Sequence, residues 1–263
     1  MARLFPPMAE VVAPGAVHLP GWLDLDGQQG LAGACRGWVA SAGLRRPHLP
    51  TGGVMSVAVT CLGWHWVPYR YTRTVDDGDG RPVPPFPEWL GDLARRAVAD
   101  ARAVDNAVDQ RPTGRASGAY RPDVALVNWY GPGARMGMHA DREERDPGPV
   151  VSLSVGDACV FRFGTPAGRG RPWVDVVLES GDLFVFGGPS RLAYHGVTRV
   201  IPGSGDPATG VDQGRFNVTL RETGLTAPSV TEGDRTGRAP TAPPRTTTLG
   251  GAGVDTGATP PSS

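Results

Sequence analysis

The chain has 263 residues with 26 Lys+Arg against 26 Asp+Glu, a formal net charge of zero, which excludes a protein that holds polyanions by bulk charge and leaves only a local basic groove. Apart from histidine every basic side chain is arginine, so Schiff-base lysine chemistry and a phosphate-loop lysine are both excluded. With 40% apolar residues, 38 Gly and 27 Pro, one domain of about 200 residues, or two small ones, is expected, with many turns and some unstructured sequence.

Residues 1–10 carry prolines and a glutamate where a secretory signal needs an apolar run, and no stretch is long and apolar enough to span a membrane. A soluble, cytoplasmic protein is the expectation. A first helix is predicted over 24–40, followed by a β-rich run at 54–60. The strongest helix is 87–104, where Leu90, Leu93, Ala94, Ala97, Val98 and Ala101 recur at helical spacing. After a loop at 112–118, β-rich runs follow at 124–130, 150–155, 159–163, 173–178, 183–186, 194–200 and 216–221, several alternating apolar with polar residues. Gly156-Asp157 and Gly181-Asp182 supply turns between neighbours, and 203–214 reads as a loop. Residues 226–263 are Thr, Pro, Gly, Ser and Ala with almost no large apolar side chain. They cannot bury enough surface to offset chain entropy, and a disordered tail is expected. Cys35, Cys61 and Cys159 show no metal spacing and read as idle or buried thiols. Helices ahead of a series of strands indicate a β-rich α+β fold: a jelly roll (double-stranded β-helix) with N-terminal helices buttressing one sheet.

Two clusters carry chemistry. In an extended segment His139 and Asp141 project from one face and can reach one cation. An imidazole and a carboxylate are two of the three ligands of a 2-His-1-carboxylate iron site. The third must come from elsewhere, and His195, after a strand and a Gly-Gly-Pro turn, is the candidate. The second cluster is the run 215–221, RFNVTLR. Alternation puts Arg215, Asn217, Thr219 and Arg221 on one face and Phe216, Val218 and Leu220 on the other. If the apolar face is packed, two arginines point inward and need anions, and a dicarboxylate would satisfy them; the alternative is a solvated strand edge. Asn128 and Tyr130, also two apart, can add neutral donors.

The blocks Asn128-Trp-Tyr130-Gly-Pro-Gly-Ala-Arg-Met-Gly-Met-His139-Ala-Asp141, Ser190-Arg-Leu-Ala-Tyr-His195-Gly196 and Arg215-Phe-Asn217-Val-Thr-Leu-Arg221, in this order and spacing, resemble the AlkB family of Fe(II)- and 2-oxoglutarate-dependent dioxygenases that demethylate nucleic-acid bases. Weaker similarity runs back to Leu62-Gly63-Trp64. The resemblance implies His139, Asp141 and His195 as iron ligands, and Asn128, Tyr130, Arg215, Asn217 and Arg221 as 2-oxoglutarate contacts. It implies Trp64 as the aromatic that stacks on a flipped base opposite His139. Tyr69 and Tyr71 would lie near the substrate backbone, Glu143 against the base and Arg169 on the substrate. The domain would be 1–225, with 1–120 an extension bearing a nucleotide-recognition lid and 121–225 the catalytic core. The implied activity, with Fe(II), 2-oxoglutarate and O₂, is oxidative demethylation of 1-methyladenine- and 3-methylcytosine-type bases in DNA, single-stranded by preference, by a monomer that releases formaldehyde and succinate. A stacked base is out of reach, so it must be flipped or already unpaired. The competing readings are a related oxygenase acting on RNA or protein, and a cupin-like metal-binding protein without turnover.

Overall fold

Alternation of apolar and polar residues dictates which face of a strand is buried, and here both faces of one sheet are covered, by different partners. The structure, a computed structural model, describes residues 8–50, 52–68, 70–111, 120–145 and 148–225; the expected loop at 112–118 and the expected tail at 226–263 lie outside them. Among these residues the strands and helices run β1 (Glu10–Ala13), β2 (Ala16–Leu19), α1 (Leu25–Ala42), β3 (Ala58–Leu62), β4 (His65–Val67), β5 (Arg70–Thr72), α2 (Glu88–Val104), β6 (Val124–Tyr130), β7 (Met136–His139), β8 (Val150–Gly156), β9 (Ala158–Phe163), β10 (Val174–Leu178), β11 (Leu183–Phe186), β12 (His195–Ile201) and β13 (Arg215–Arg221).

The strands form a seven-stranded sheet in the order β1-β2-β11-β8-β13-β6-β3, a four-stranded sheet β10-β9-β12-β7, and the hairpin β4-β5. Neighbours pair antiparallel throughout, as a jelly roll requires. Leu183, Val185, Phe216, Val218 and Leu220 point from the large sheet to the helices, where they meet Leu31, Leu90, Ala94 and Ala97. The alanines on α2 let it sit close to the sheet, and each fully buried Leu or Val is worth about 1.5–3 kcal/mol. Phe184 and Phe186, from the alternate positions of β11, point between the sheets and meet Phe161, Phe163 and Val197 of the small one. Asp24 caps α1 by accepting from Gly27 N at 2.8 Å.

Three features differ from the sequence expectation. The run at 54–60 enters the sheet late, since its ladder with β6 begins only at Ala58 opposite Trp129. β7, absent from the predicted strand runs although His139 was read in an extended segment, is Met-Gly-Met-His with no β-branched residue, and its neighbour β12 imposes the extended form. β1 and β2 form a hairpin across Pro14-Gly15. There Gly15 has φ +78°, and an added Cβ would sit 2.5 Å from Gly187 O. With β3, they give the large sheet three strands from the N-terminal 120 residues, so that segment is woven into the sheet as well as buttressing it.

Candidate active site

The small sheet brings two histidines face to face. His139 closes β7, His195 opens β12, and the two are register partners; their ring centroids lie 4.5 Å apart. Asp141, two residues beyond His139, puts Oδ1 3.6 Å from His139 Nε2 and Oδ2 3.7 Å from His195 Nε2. Candidate ligand atoms of the three residues all fall within 4.8 Å of one another. Each imidazole is aimed by its own strand: Nδ1 of His139 lies 3.0 Å from Gly137 O, and Nδ1 of His195 2.9 Å from Ala193 O. With Nδ1–H donating to a carbonyl, Nε2 keeps its lone pair for a cation. Burial, then the charge of His139, lowers the His195 pKa to about 4, so it is neutral at physiological pH. Burial alone would raise the Asp141 carboxyl, but Arg221, His195 and His139 overcome it and hold it well below the usual carboxylate range. Asp141 Oδ2 lies 2.9 Å from Arg221 Nη2 but receives no well-aligned hydrogen bond. A buried carboxylate oxygen with a free lone pair, beside two imidazole nitrogens, suits a divalent transition metal.

The inward face of β13 lies beside this trio. Arg221 is buried and comes with counter-ions, Asp141 and Glu144, the latter 3.0 Å away. Glu144 also binds Arg191 at 2.9 Å, and Arg191 in turn donates to Asp141 O and Gly148 O. Arg221, expected to contact the co-substrate, thus also has carboxylate partners of the protein's own. Arg215, at the opposite end of the strand, is 1% exposed and donates to Ser154 Oγ at 2.6 Å and Leu178 O at 3.2 Å. Among the described residues no carboxylate lies within ion-pair distance of it. Its Nε is buried without a partner. Between the arginines, Asn217 is the register partner of Asn128 and donates to Ser152 Oγ at 2.7 Å, while Tyr130 lies opposite Arg215. Sequence reasoning missed Ser152, Ser154, Glu144 and Arg191. The serines were visible in the alternation of VVSLSV, whose polar face turns inward and not to solvent.

At the mouth the structure redistributes the expected substrate residues. The Tyr71 hydroxyl, expected near a substrate backbone, points inward: it donates to Glu144 and accepts from Arg221 Nη1 at 3.1 Å. It therefore ties the β4-β5 hairpin to the metal end of the barrel. Trp64 is 6% exposed in a cluster with Val59, Cys61, Val124 and Leu126, and its indole N–H donates to Asp123 at 3.0 Å. The Arg73 guanidinium sits 3.4 Å over its ring centroid, leaving at most one ring face for a base. Glu143 is half-buried, and burial raises its carboxyl pKa. Arg169 is exposed with its guanidinium 5.9 Å from the Tyr194 ring. Tyr69 lies outside the described residues.

A jelly roll whose facing histidines and aspartate converge at one end of a strand that buries an uncompensated arginine at its other end fits a non-haem, metal-dependent oxygenase that takes an acidic co-substrate. The model of the 2OG-Fe(II) oxygenase superfamily matches residues 15–221. "Alpha-ketoglutarate-dependent dioxygenase AlkB homolog" of Caulobacter vibrioides (strain NA1000 / CB15N) is 39% identical over 216 residues, 80% of this chain and 88% of that protein. "DNA N(6)-methyladenine demethylase ALKBH1D" of Arabidopsis thaliana is 32% identical, covering 81% of this chain and 50% of that one. A solved structure, "The structure of OsALKBH1", superposes with a TM-score of 0.70 at 31% identity, covering 81% of this chain and all of that chain. The protein belongs to the AlkB family of the 2OG-Fe(II) oxygenase superfamily and is an Fe(II)- and 2-oxoglutarate-dependent dioxygenase. No helix among the described residues is long and apolar enough to cross a membrane.

Proposed function

We propose that this dioxygenase demethylates 1-methyladenine- and 3-methylcytosine-type bases in DNA, single-stranded by preference, as a cytoplasmic monomer whose catalytic domain is 1–225. The observation that carries the reading is the convergence of half-buried His139 with buried Asp141 and His195, both Nε2 atoms free, beside the Tyr71 hydroxyl that meets Arg221. These three side chains would hold Fe(II), which supplies the O₂- and 2-oxoglutarate-dependent oxidation of an N-methyl carbon. The names of the relatives, demethylases of DNA among them, support a base as the methyl carrier.

The residues then divide the work. Arg215, with Ser154 beside it, takes the distal carboxylate of the co-substrate, because its buried charge lacks a protein counter-ion. Asn128, Tyr130 and Asn217 line the path between that carboxylate and the metal end. Arg221 neutralises Asp141 and Glu144, which keeps the ligand carboxylate ionised. Trp64 stacks on the extruded base through the ring face that Arg73 does not cover, worth about 1–3 kcal/mol. Glu143 faces the base edge, with Tyr69 and Arg169 on the flanking strand. The test compares formaldehyde and succinate yields on methylated single-stranded DNA, duplex DNA and tRNA, with and without Fe(II). Equal yields of both from methylated single-stranded DNA are the expected result. Turnover confined to tRNA would transfer the reading to RNA, and succinate without formaldehyde on every nucleic acid would overturn it.

A further inference from the structure

Two aromatic rings at one end of the small sheet each have two arginines near them. Tyr194, the residue before His195, has the guanidinium of Arg142 at 5.6 Å and that of Arg169 at 5.9 Å from its ring centroid. Trp173, the residue before β10, has Arg162 at 4.7 Å and Arg171 at 4.8 Å. Arg142, Arg169 and Arg171 are exposed. The sheet register places these groups on a line. Val174 pairs with Phe163, Phe163 with His195, and His195 with His139. Trp173 therefore lies two strands from the metal-ligand histidine, about 10 Å at ordinary strand spacing, while Arg142 and Tyr194 each adjoin a ligand in sequence. Among the described residues the only carboxylate paired within this ridge is Asp175, whose two oxygens each accept from Arg162 at 2.7 Å. On a chain of zero net charge, this is a concentration of positive charge at one end of the small sheet.

We infer that the ridge from Tyr194 to Trp173 is a track for the phosphodiester backbone of the nucleic acid whose base enters the site. The inference rests on the proposed function and deepens it. A guanidinium lying over an aromatic face keeps its N–H edge free and holds its long side chain in place, so its donors are pre-aimed at phosphate oxygens. The aromatic faces are occupied by arginine, so the ridge reads phosphate and not base, and its binding is indifferent to sequence. Asp175 limits the track by holding Arg162.

The test is anisotropy of a short, unmodified, labelled single-stranded oligonucleotide with the full chain, across a salt series and without co-substrate. Arg142→Ala and Arg171→Ala should each weaken binding about five- to tenfold at low salt. Each should also flatten the slope of log affinity against log salt by about 0.7, the value for one phosphate contact on a single strand. Asp175→Asn should do the reverse, tightening binding and steepening the slope, which damage to the fold would not produce. Wild-type affinity and slope in both arginine variants, or an Asp175→Asn protein that binds no better than wild type, would overturn the track. Because the readout is binding of unmodified strand, a failure of the demethylation reading appears as missing formaldehyde and leaves this result separate.

Discussion

The two ends of β13 bury the same guanidinium in opposite circumstances. At the metal end Arg221 is locked between Asp141 and Glu144, with Tyr71 and Arg191 completing the set. The Nε of both arginines is buried without a partner, but at the other end Arg215 is more deeply buried and holds only neutral acceptors. Burying a charge without a counter-ion costs several kcal/mol unless something supplies the anion. The protein itself thus matches the charge of one arginine, while on the proposed reading a ligand matches that of the other.

The largest effect expected around the strand is on the trio that Arg221 serves. His139→Ala should remove metal binding, read by calorimetric titration of the metal, and with it all succinate release, while circular dichroism shows the fold intact. Retained turnover would remove His139 from the ligand set. Arg221→Ala should destabilise the protein by about 3–5 kcal/mol in urea unfolding, because it strands two buried carboxylates. Arg215→Met should leave the metal-free protein as stable as wild type or more so. The same change should raise the 2-oxoglutarate requirement about 10²-fold and abolish the increase in melting temperature that the co-substrate gives wild type. If the two substitutions lowered stability alike, the contrast between the ends would be wrong. The smallest effect is a pH dependence. In the metal-free fold His195 stays neutral down to about pH 4, whereas its ordinary value is 6.5. Between these values unfolding takes up a proton, so its contribution to stability is complete above pH 6.5 and is lost as the pH falls toward 4. His195→Gln should lack that portion of the slope of urea midpoint against pH.

Much of this was legible before any coordinates. The alternation in RFNVTLR gave the inward arginine face, and the helical spacing in 87–104 gave α2 within one residue. The spacing of His139 and Asp141 named two of the three candidate ligands, the place of His195 after a strand and a Gly-Gly-Pro turn offered the third, and the resemblance joined them. The partners of the charges were not legible. Glu144 follows another glutamate in a polar stretch that reads as solvated, and only the fold shows it 1% exposed between Arg191 and Arg221. Nor could alternation alone say which face of β8 was inward, because serine suits either side; that was decided by Arg215 and Asn217 on the neighbouring strand. The resemblance put Tyr71 near the substrate backbone, and its hydroxyl turns to the interior, where Glu144 and Arg221 receive it.

The pairing of β13 with β6 and β8 has a further consequence. A slip of one residue would turn Phe216, Val218 and Leu220 into the barrel and drive two guanidiniums into the greasy seam beneath the helices. Mispaired molecules would then lose co-substrate affinity and cohesion together. On the proposed reading, 2-oxoglutarate binding would report the correct strand register in any preparation of the protein.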